Sequence, residues 1–147
     1  MALSPDGQTI AYNLRKPGGE DDKRGKSWWE IHTIKTDGSN PRKYVTKPQS
    51  GYTISWGTKG EYIYFLGYRK DHDSHTQVYR IPVMGGEAEM VTGHETTVRN
   101  YKLSQDGKYL AFTSRDPLSR QEKLDASYGK DWIVYGENYK YTRLYMM

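Results

Sequence analysis

Three of the four histidines lie beside acidic residues in two segments of this chain of 147 residues. Residues 71–75 read Asp-His-Asp-Ser-His, and residues 94–95 read His-Glu. Imidazole and carboxylate groups are ligands for divalent metals, so His72, His75 and His94 form a weak alternative metal site. The same residue types are ordinary at polar loop tips, and no helix or strand fixes their spacing. We therefore predict no metal and no cofactor.

A serine nucleophile is the second chemistry to consider. The hydrolase elbow needs the pattern Gly-x-Ser-x-Gly, because the tight turn must expose the serine oxygen. No such pentapeptide occurs, and the nearest stretch, Gly25-Lys26-Ser27-Trp28-Trp29, places two bulky rings after the serine. The sequence therefore predicts no catalytic residue within this chain.

The composition is typical of an all-β protein with a thin core. Only 35% of the residues are hydrophobic, whereas 14 are tyrosine and 15 are glycine. Aromatic residues favour half-buried pleated surfaces, and glycine favours tight turns. The net charge of +4 comes from interleaved acids and bases, so we expect no nucleic-acid partner. No apolar run approaches the length of about 18 residues that a membrane-spanning segment requires.

One short phrase occurs three times in the chain. Leu3 to Tyr12 returns as Leu103 to Phe112, and Ile54 to Phe65 is a degraded copy. The turn glycines of the three copies, Gly7, Gly60 and Gly107, are spaced 53 and 47 residues apart. A repeat of this length that contains short strands and turns indicates a propeller or a solenoid.

The middle copy is the most complete. Residues 52–56, 61–68, 77–83 and 89–92 read as four strands, and Gly85-Gly86 supplies the last hairpin turn. Four antiparallel strands followed by a repeat are typical of one propeller blade.

The flanking copies fit the same frame but are shorter. The blades span approximately 1–47, 48–94 and 95–147, with three, four and three recognisable strands. The first blade opens at the tail of its innermost strand. We therefore predict an all-β partial β-propeller of about three four-stranded antiparallel blades, the first and last incomplete. Because open blade faces and strand edges are left uncovered, we expect the isolated chain to self-associate or to need the remaining blades.

The topology also predicts which connections between strands lie on the same rim of the blades. In an antiparallel blade, the connections between the second and third strands share one rim with the connections between blades. His72, His75 and His94 should therefore lie on the same rim.

The repeats resemble two known groups of propellers. Ser4-Pro5-Asp6-Gly7 with its following strand resembles TolB-like repeats and the N-terminal propellers of the prolyl oligopeptidase family of serine peptidases. Residues 114–117, 131–137 and 141–145 are similar to the acylaminoacyl-peptidase and dipeptidyl-peptidase branch. In that family the propeller covers a C-terminal α/β-hydrolase domain with Ser, Asp and His. The resemblance implies that domain and a peptide substrate as partners of the longer protein.

The resemblance also implies candidate substrate-binding residues. Some dipeptidyl peptidases hold the free amino terminus of the substrate with propeller carboxylates, which pair with an ammonium by charge-assisted hydrogen bonds. Asp131 and Glu137 are the corresponding acids here, although their spacing differs from the family's paired acids. A charged residue in a surface connection is the other interpretation, and the preferred one.

Two functions follow for the chain. The first is a non-catalytic propeller segment of a serine peptidase that controls the access of peptides to a downstream hydrolase domain. The alternative is a non-enzymatic TolB-like propeller that acts as a protein-binding scaffold. The long insertion between Arg115 and Trp132 favours the first.

Overall fold

Three antiparallel sheets make up the described part of the chain. The structure, a computed structural model, describes residues 1–17, 27–45, 52–68, 75–130 and 139–147. The first sheet contains, in spatial order, β1 (Ala2–Leu3), β2 (Thr9–Pro17), β3 (Ser27–Lys35) and β4 (Arg42–Val45). The second sheet contains β5 (Tyr52–Trp56), β6 (Tyr62–Gly67), β7 (Gln77–Pro82) and β8 (Glu89–Met90). The third sheet contains β9 (Val98–Leu103), β10 (Leu110–Arg115) and β11 (Thr142–Met146).

The strands agree closely with those expected from the alternation of apolar residues. β5 has the predicted bounds, and the two-residue β1 is the predicted tail of an innermost strand. The alternation of apolar residues predicts a strand from Thr9 to Leu14, whereas β2 continues to Pro17 because it pairs with β3 along its full length. One element was not predicted: the helix α1 (Arg120–Ser127), which lies in the insertion between β10 and β11.

The repeated phrase forms the turn that joins the first two strands of a blade. In the first sheet, the Asp6 carboxylate accepts hydrogen bonds from the Ser4 hydroxyl at 2.5 Å and the Gln8 amide at 3.0 Å. Gly7 closes the turn with a φ of 70°, a conformation that favours glycine. Ser104, Asp106 and Gly107 repeat this arrangement in the third sheet, with a φ of 72° at the glycine. The sequence repeat is therefore a repeat of hydrogen bonds.

Two apolar cores hold the sheets face to face. The core between the first and second sheets consists of Ala11, Ile31, Ile63, Phe65, Tyr79, Ile81 and Ala88. The core between the second and third sheets consists of Leu66, Val78, Val98, Tyr101, Leu110 and Phe112. The central strands β6 and β7 of the middle sheet therefore contribute alternate residues to opposite cores, as expected for a sheet buried on both sides.

Polar bonds also cross between the sheets. The indole of Trp56 donates to the Ala2 carbonyl at 3.0 Å, and the Tyr44 hydroxyl donates to the Val83 carbonyl at 2.8 Å. The buried Tyr101 hydroxyl donates to the Thr53 carbonyl at 2.9 Å, and burial raises the pKa of this hydroxyl. These bonds fix the register of one sheet on the next.

Candidate functional site

His75 and His94, the predicted site residues that the structure describes, lie at one rim of the sheet stack, here named the connection rim. Its described parts are residues 75–76, 93–97, 116–130 and 139–141, which connect strands or sheets. The Lys123 ammonium in α1 donates to the Glu95 carboxylate at 3.1 Å, so the insertion lies beside the connection between the second and third sheets. This contact confirms the predicted grouping for these two connections.

A buried glutamine fixes the segment that carries His94. The Gln77 side chain is fully buried at the start of β7. Its amide nitrogen donates to the His94 carbonyl at 2.7 Å, and its oxygen accepts from the His94 amide at 3.1 Å. The same oxygen accepts from the Thr92 hydroxyl at 2.8 Å, and that hydroxyl accepts from the Val78 amide. The amide nitrogen and the amide oxygen of Gln77 thus both hold the segment that leaves the second sheet.

The His94 ring takes part in packing. It lies 4.4 Å from the Tyr145 ring and 5.6 Å from the Phe112 ring, measured between centroids. Its Nδ1 atom lies 3.3 Å from the amide nitrogen of Thr96, which donates to it. The ring therefore joins the aromatic cluster of the third sheet, and Nδ1 is already used by a backbone donor.

The other predicted residues are less constrained by the structure. His75, two residues before Gln77 in the sequence, is half-buried. His72, Asp131 and Glu137 lie outside the described residues. Across residues 1–17, 27–45, 52–68, 75–130 and 139–147, no group of three His, Asp or Glu side chains is placed to hold a metal ion.

Ser114 lies near the end of β10 and contacts the rim residues Thr96 and Thr97. It is fully buried, and its hydroxyl donates to the Thr97 carbonyl at 2.9 Å. The Thr96 hydroxyl lies 2.6 Å from the Ser114 oxygen and also donates to the Arg115 carbonyl at 2.5 Å. A buried hydroxyl that donates to a carbonyl cannot meet a substrate, so this serine ties the connection to β10.

The insertion after β10 is organised by a capping box. The Ser119 hydroxyl accepts from the Glu122 amide at 3.2 Å, and the Glu122 carboxylate accepts from the Ser119 amide at 2.6 Å. These bonds satisfy two amide groups at the start of α1. None of the side chains of α1 is buried, so the helix is not held by apolar packing.

Ion pairs attach the insertion to the strand that follows it. The Lys140 ammonium lies 2.5 Å from the Glu122 carboxylate, and the Arg143 guanidinium lies 2.5 Å from Asp116. The bond from Lys140, together with the donors of Ser119, lowers the pKa of Glu122 to about 2. The Arg143 guanidinium likewise lowers the pKa of Asp116. Both acids are therefore charged at neutral pH and bridge the two ends of the insertion.

Sequence reasoning missed these charged residues. The insertion between Arg115 and Trp132 was predicted, but α1, Asp116 and Glu122 were not identified as organising it. A readable signal for the helix was present, because Ser119-Arg120-Gln121-Glu122 has the capping-box pattern. The ion pairs had no such signal, since Lys140 and Arg143 are distant in sequence from their partners.

Two clefts open at the opposite rim, and neither is lined by His75 or His94. One has a volume of about 400 Å³ and lies between Asp6, Trp56 and Lys59. The other has a volume of about 320 Å³ and lies between Tyr44 and Gly86. Both lie where the turns of the first and second sheets meet, and they combine few charged groups. We assign no chemistry to them.

Comparisons with known proteins identify relatives for most of the chain. The family model for the N-terminal β-propeller domain of prolyl oligopeptidase matches residues 1–131. Dipeptidyl-peptidase 5 of Porphyromonas gingivalis is 40% identical over 67 residues, which cover 45% of this chain and 9% of that protein. Dipeptidyl-peptidase 5 of Porphyromonas endodontalis is 24% identical over 123 residues, which cover 84% of this chain and 17% of that protein. The chain thus spans less than a fifth of the length of these curated relatives.

A solved structure agrees with the architecture. A TolB-like protein from Agrobacterium tumefaciens superposes with a TM-score of 0.65 and 19% identity, and the match covers 99% of this chain and 43% of that one. The predicted all-β partial propeller is therefore confirmed, with α1 as an addition to it. Among the described residues, no helix has the length and apolar character needed to cross a membrane.

Proposed function

Because this chain belongs to the family of N-terminal β-propeller domains of prolyl oligopeptidase, we propose that it is a non-catalytic segment controlling the access of peptides to a hydrolase domain. That α/β-hydrolase domain would lie elsewhere in a longer serine peptidase. The observation that carries the proposal is the family match over residues 1–131. The relatives named dipeptidyl-peptidase support a substrate that is a peptide.

The described residues are better suited to selecting substrates by size than to catalysing their hydrolysis. Two buried cores and several cross-sheet hydrogen bonds make the sheet stack stiff. A stiff wall can exclude a folded protein by size while an extended peptide passes. The chain has no nucleophile elbow, and Ser114 of β10, beside the connection rim, is fully buried. The acyl transfer to serine and its oxyanion stabilisation would belong to the hydrolase domain.

The connection rim would supply the substrate contacts. We assign Asp131 and Glu137, which follow α1 in the sequence, to the free amino terminus of the peptide. An ammonium bonded to a carboxylate contributes about 1.5–3 kcal/mol. The pairs Glu122–Lys140 and Asp116–Arg143 tie the described parts of the insertion to β11 and the residues just before it.

The test of peptide access uses the longer protein that contains this chain. A short fluorogenic peptide and the same peptide inserted in a folded reporter protein are offered at equal concentration. We expect rapid hydrolysis of the short peptide, slow hydrolysis of the reporter and labelling by a serine-directed fluorophosphonate. Equal rates for the two substrates would contradict the control of access. A longer protein without serine labelling or hydrolysis would instead support the non-enzymatic TolB-like scaffold.

The assignment of the two acids has its own test. Asp131→Asn and Glu137→Gln should each raise KM about tenfold or more for a dipeptidyl substrate with a free amino terminus. An acetylated version of a substrate that the enzyme still cleaves is the control, because it has no ammonium to lose. Equal changes in KM for both substrates would remove these acids from amine binding.

A further inference from the structure

The innermost strand of the middle blade has a backbone conformation that its residue type disfavours. Thr53, in β5, has a φ of 55°, which lies in the left-handed region. Among the described residues other than glycine, only Asn40 also has a positive φ, and asparagine tolerates this region. Threonine is branched at Cβ, and a branched residue with a positive φ is an outlier. Thr53 is therefore a strained residue.

The strain belongs to a β-bulge. Two residues of β5, Thr53 and Ile54, lie between paired positions that enclose a single residue of β6, Phe65. In bulges whose first residue is left-handed, that residue is glycine. The equivalent strand β9 of the third sheet also has a bulge near its first residues, and it forms without any residue of positive φ. The blade architecture therefore does not by itself require a strained threonine at this place.

A side chain from the third sheet holds this conformation. The Tyr101 hydroxyl donates to the Thr53 carbonyl at 2.9 Å, and the Ser55 hydroxyl donates to the Tyr101 oxygen at 2.9 Å. Tyr101 is 8% exposed, and burial raises the pKa of its hydroxyl, which therefore stays protonated and remains a donor. The strain persists because the packing of two sheets maintains it.

The bond from Tyr101 does not explain the side chain of Thr53. Tyr101 bonds to a main-chain carbonyl, which glycine would present in the same conformation without the steric cost of a Cβ atom. Strained residues cluster at sites that bind ligands, and local preferences are broken where function requires it. The strain therefore points to a role for the threonine side chain itself.

The position of Thr53 indicates what this side chain meets. β5 is an edge strand that pairs only with β6, and the bonds Trp56–Ala2 and Tyr101–Thr53 join the first strands of successive sheets. Thr53 is exposed although sheets pack on both sides of the middle sheet. Further blades would pack on the first and third sheets, so they would leave Thr53 open to the central channel of the propeller. As the second residue of β5, it lies at the connection-rim end of that channel.

We propose that the Thr53 hydroxyl binds the main chain of an extended peptide at this end of the channel. The inference rests on the proposed function, in which peptides reach the hydrolase domain past the connection rim. A hydroxyl both donates and accepts, so it can bond to the carbonyl or the amide of any peptide residue. A folded protein has already paired most of its main-chain groups and cannot offer them to Thr53. The contact therefore favours extended peptides without selecting their sequence.

Three substitutions in the longer protein separate the hydroxyl from the strain. Thr53→Ser keeps the hydroxyl, Thr53→Val keeps the branched shape without it, and Thr53→Gly removes both the hydroxyl and the strain. The probe is fluorescein-labelled hexa-alanine, whose small side chains isolate main-chain contacts, and a serine-directed fluorophosphonate first stops any cleavage. Fluorescence anisotropy should show a dissociation constant raised about two- to tenfold by Thr53→Val and Thr53→Gly, the loss of one neutral hydrogen bond. Thr53→Ser should retain the wild-type value.

Melting temperatures of the same proteins separate a lost contact from a lost fold. Thr53→Gly relieves the left-handed conformation, so its Tm should equal or exceed that of the wild type although it binds the peptide more weakly. Thr36→Val is the matched control, because Thr36 is an exposed threonine at the opposite rim and its substitution should leave binding unchanged.

Several results would overturn the proposal. These are no binding of hexa-alanine by the wild type, unchanged binding by Thr53→Val and Thr53→Gly, an equal loss in Thr53→Ser, or a lowered Tm in Thr53→Gly. Hydrolysis of peptides by a protein whose binding ignores these substitutions would leave the peptidase role standing and remove this contact. Binding that depends on the hydroxyl in a protein without hydrolysis would do the reverse.

Discussion

Two glycines with the same turn conformation should differ in how well they tolerate alanine. Gly7 and Gly107 close equivalent turns with φ of 70° and 72°. A Cβ atom on Gly7 would meet nothing within 4 Å, whereas one on Gly107 would lie 2.5 Å from the Thr58 hydroxyl oxygen. Thr58 belongs to the turn of the second sheet, so this contact exists only because the sheets are packed together.

The expected costs follow from these two geometries. A side chain in the left-handed region costs about 1–2 kcal/mol, and both substitutions carry this term. At Gly107 the overpacked contact adds about 1–3 kcal/mol, because Thr58 is branched at Cβ and rotates poorly. Gly7→Ala should therefore lower the free energy of unfolding by about 1–2 kcal/mol, and Gly107→Ala by about 2–5 kcal/mol.

Urea unfolding followed by tryptophan fluorescence measures both values, with all variants at one protein concentration so that association contributes equally. Thr58→Ala completes a double-mutant cycle with Gly107→Ala. In the Thr58→Ala background, the cost of Gly107→Ala should fall to that of Gly7→Ala. Equal costs of the two glycine substitutions in the wild-type background, or a cycle without coupling, would refute the packing of these two turns against each other.

Two further properties can be predicted from the structure. Phe65→Ala should lower the free energy of unfolding by about 3–5 kcal/mol because it empties a fully buried site, whereas Leu144→Ala at an exposed site should change it by about 0.5 kcal/mol or less in the monomer. Similar values from urea unfolding at low protein concentration would contradict the assignment of the core. Folding lowers the pKa of Glu122 from 4.5 to about 2, so its stabilising contribution is present above pH 4.5 and is lost as the pH falls toward 2. An NMR titration of the Glu122 carboxyl carbon should have its midpoint near 2, and Lys140→Met should move the midpoint toward 4.5; an unchanged midpoint would exclude this ion pair.

Much of the fold could be predicted from the repeat because its signals are local. The alternation in Tyr52–Trp56 gives the bounds of β5, and Asp6-Gly7 and Asp106-Gly107 mark equivalent turns. These features depend on the conformational preferences of a few neighbouring residues. The helix α1 was equally local, and its capping box was present in the sequence but overlooked.

The surroundings of the candidate site residues were harder to predict because they are not local in sequence. His94 was considered as a metal ligand from the acids around it in sequence. Its ring instead packs against Phe112 and Tyr145, which come from two other strands. Gln77 attracted no attention in the sequence, yet it is the buried residue that fixes the segment of His94.

The sequence by itself determined the repeat, its strands and turns, and the family to which the chain belongs, because short-range backbone preferences and apolar alternation are written along the chain. The tertiary structure alone decided which side of each sheet is covered. Ile31, Val78 and Leu144 are similar aliphatic residues at equivalent positions, but two are fully buried and one is 72% exposed. Burial depends on what packs against a residue from elsewhere in space, and no residue's own type or neighbours in sequence specify that.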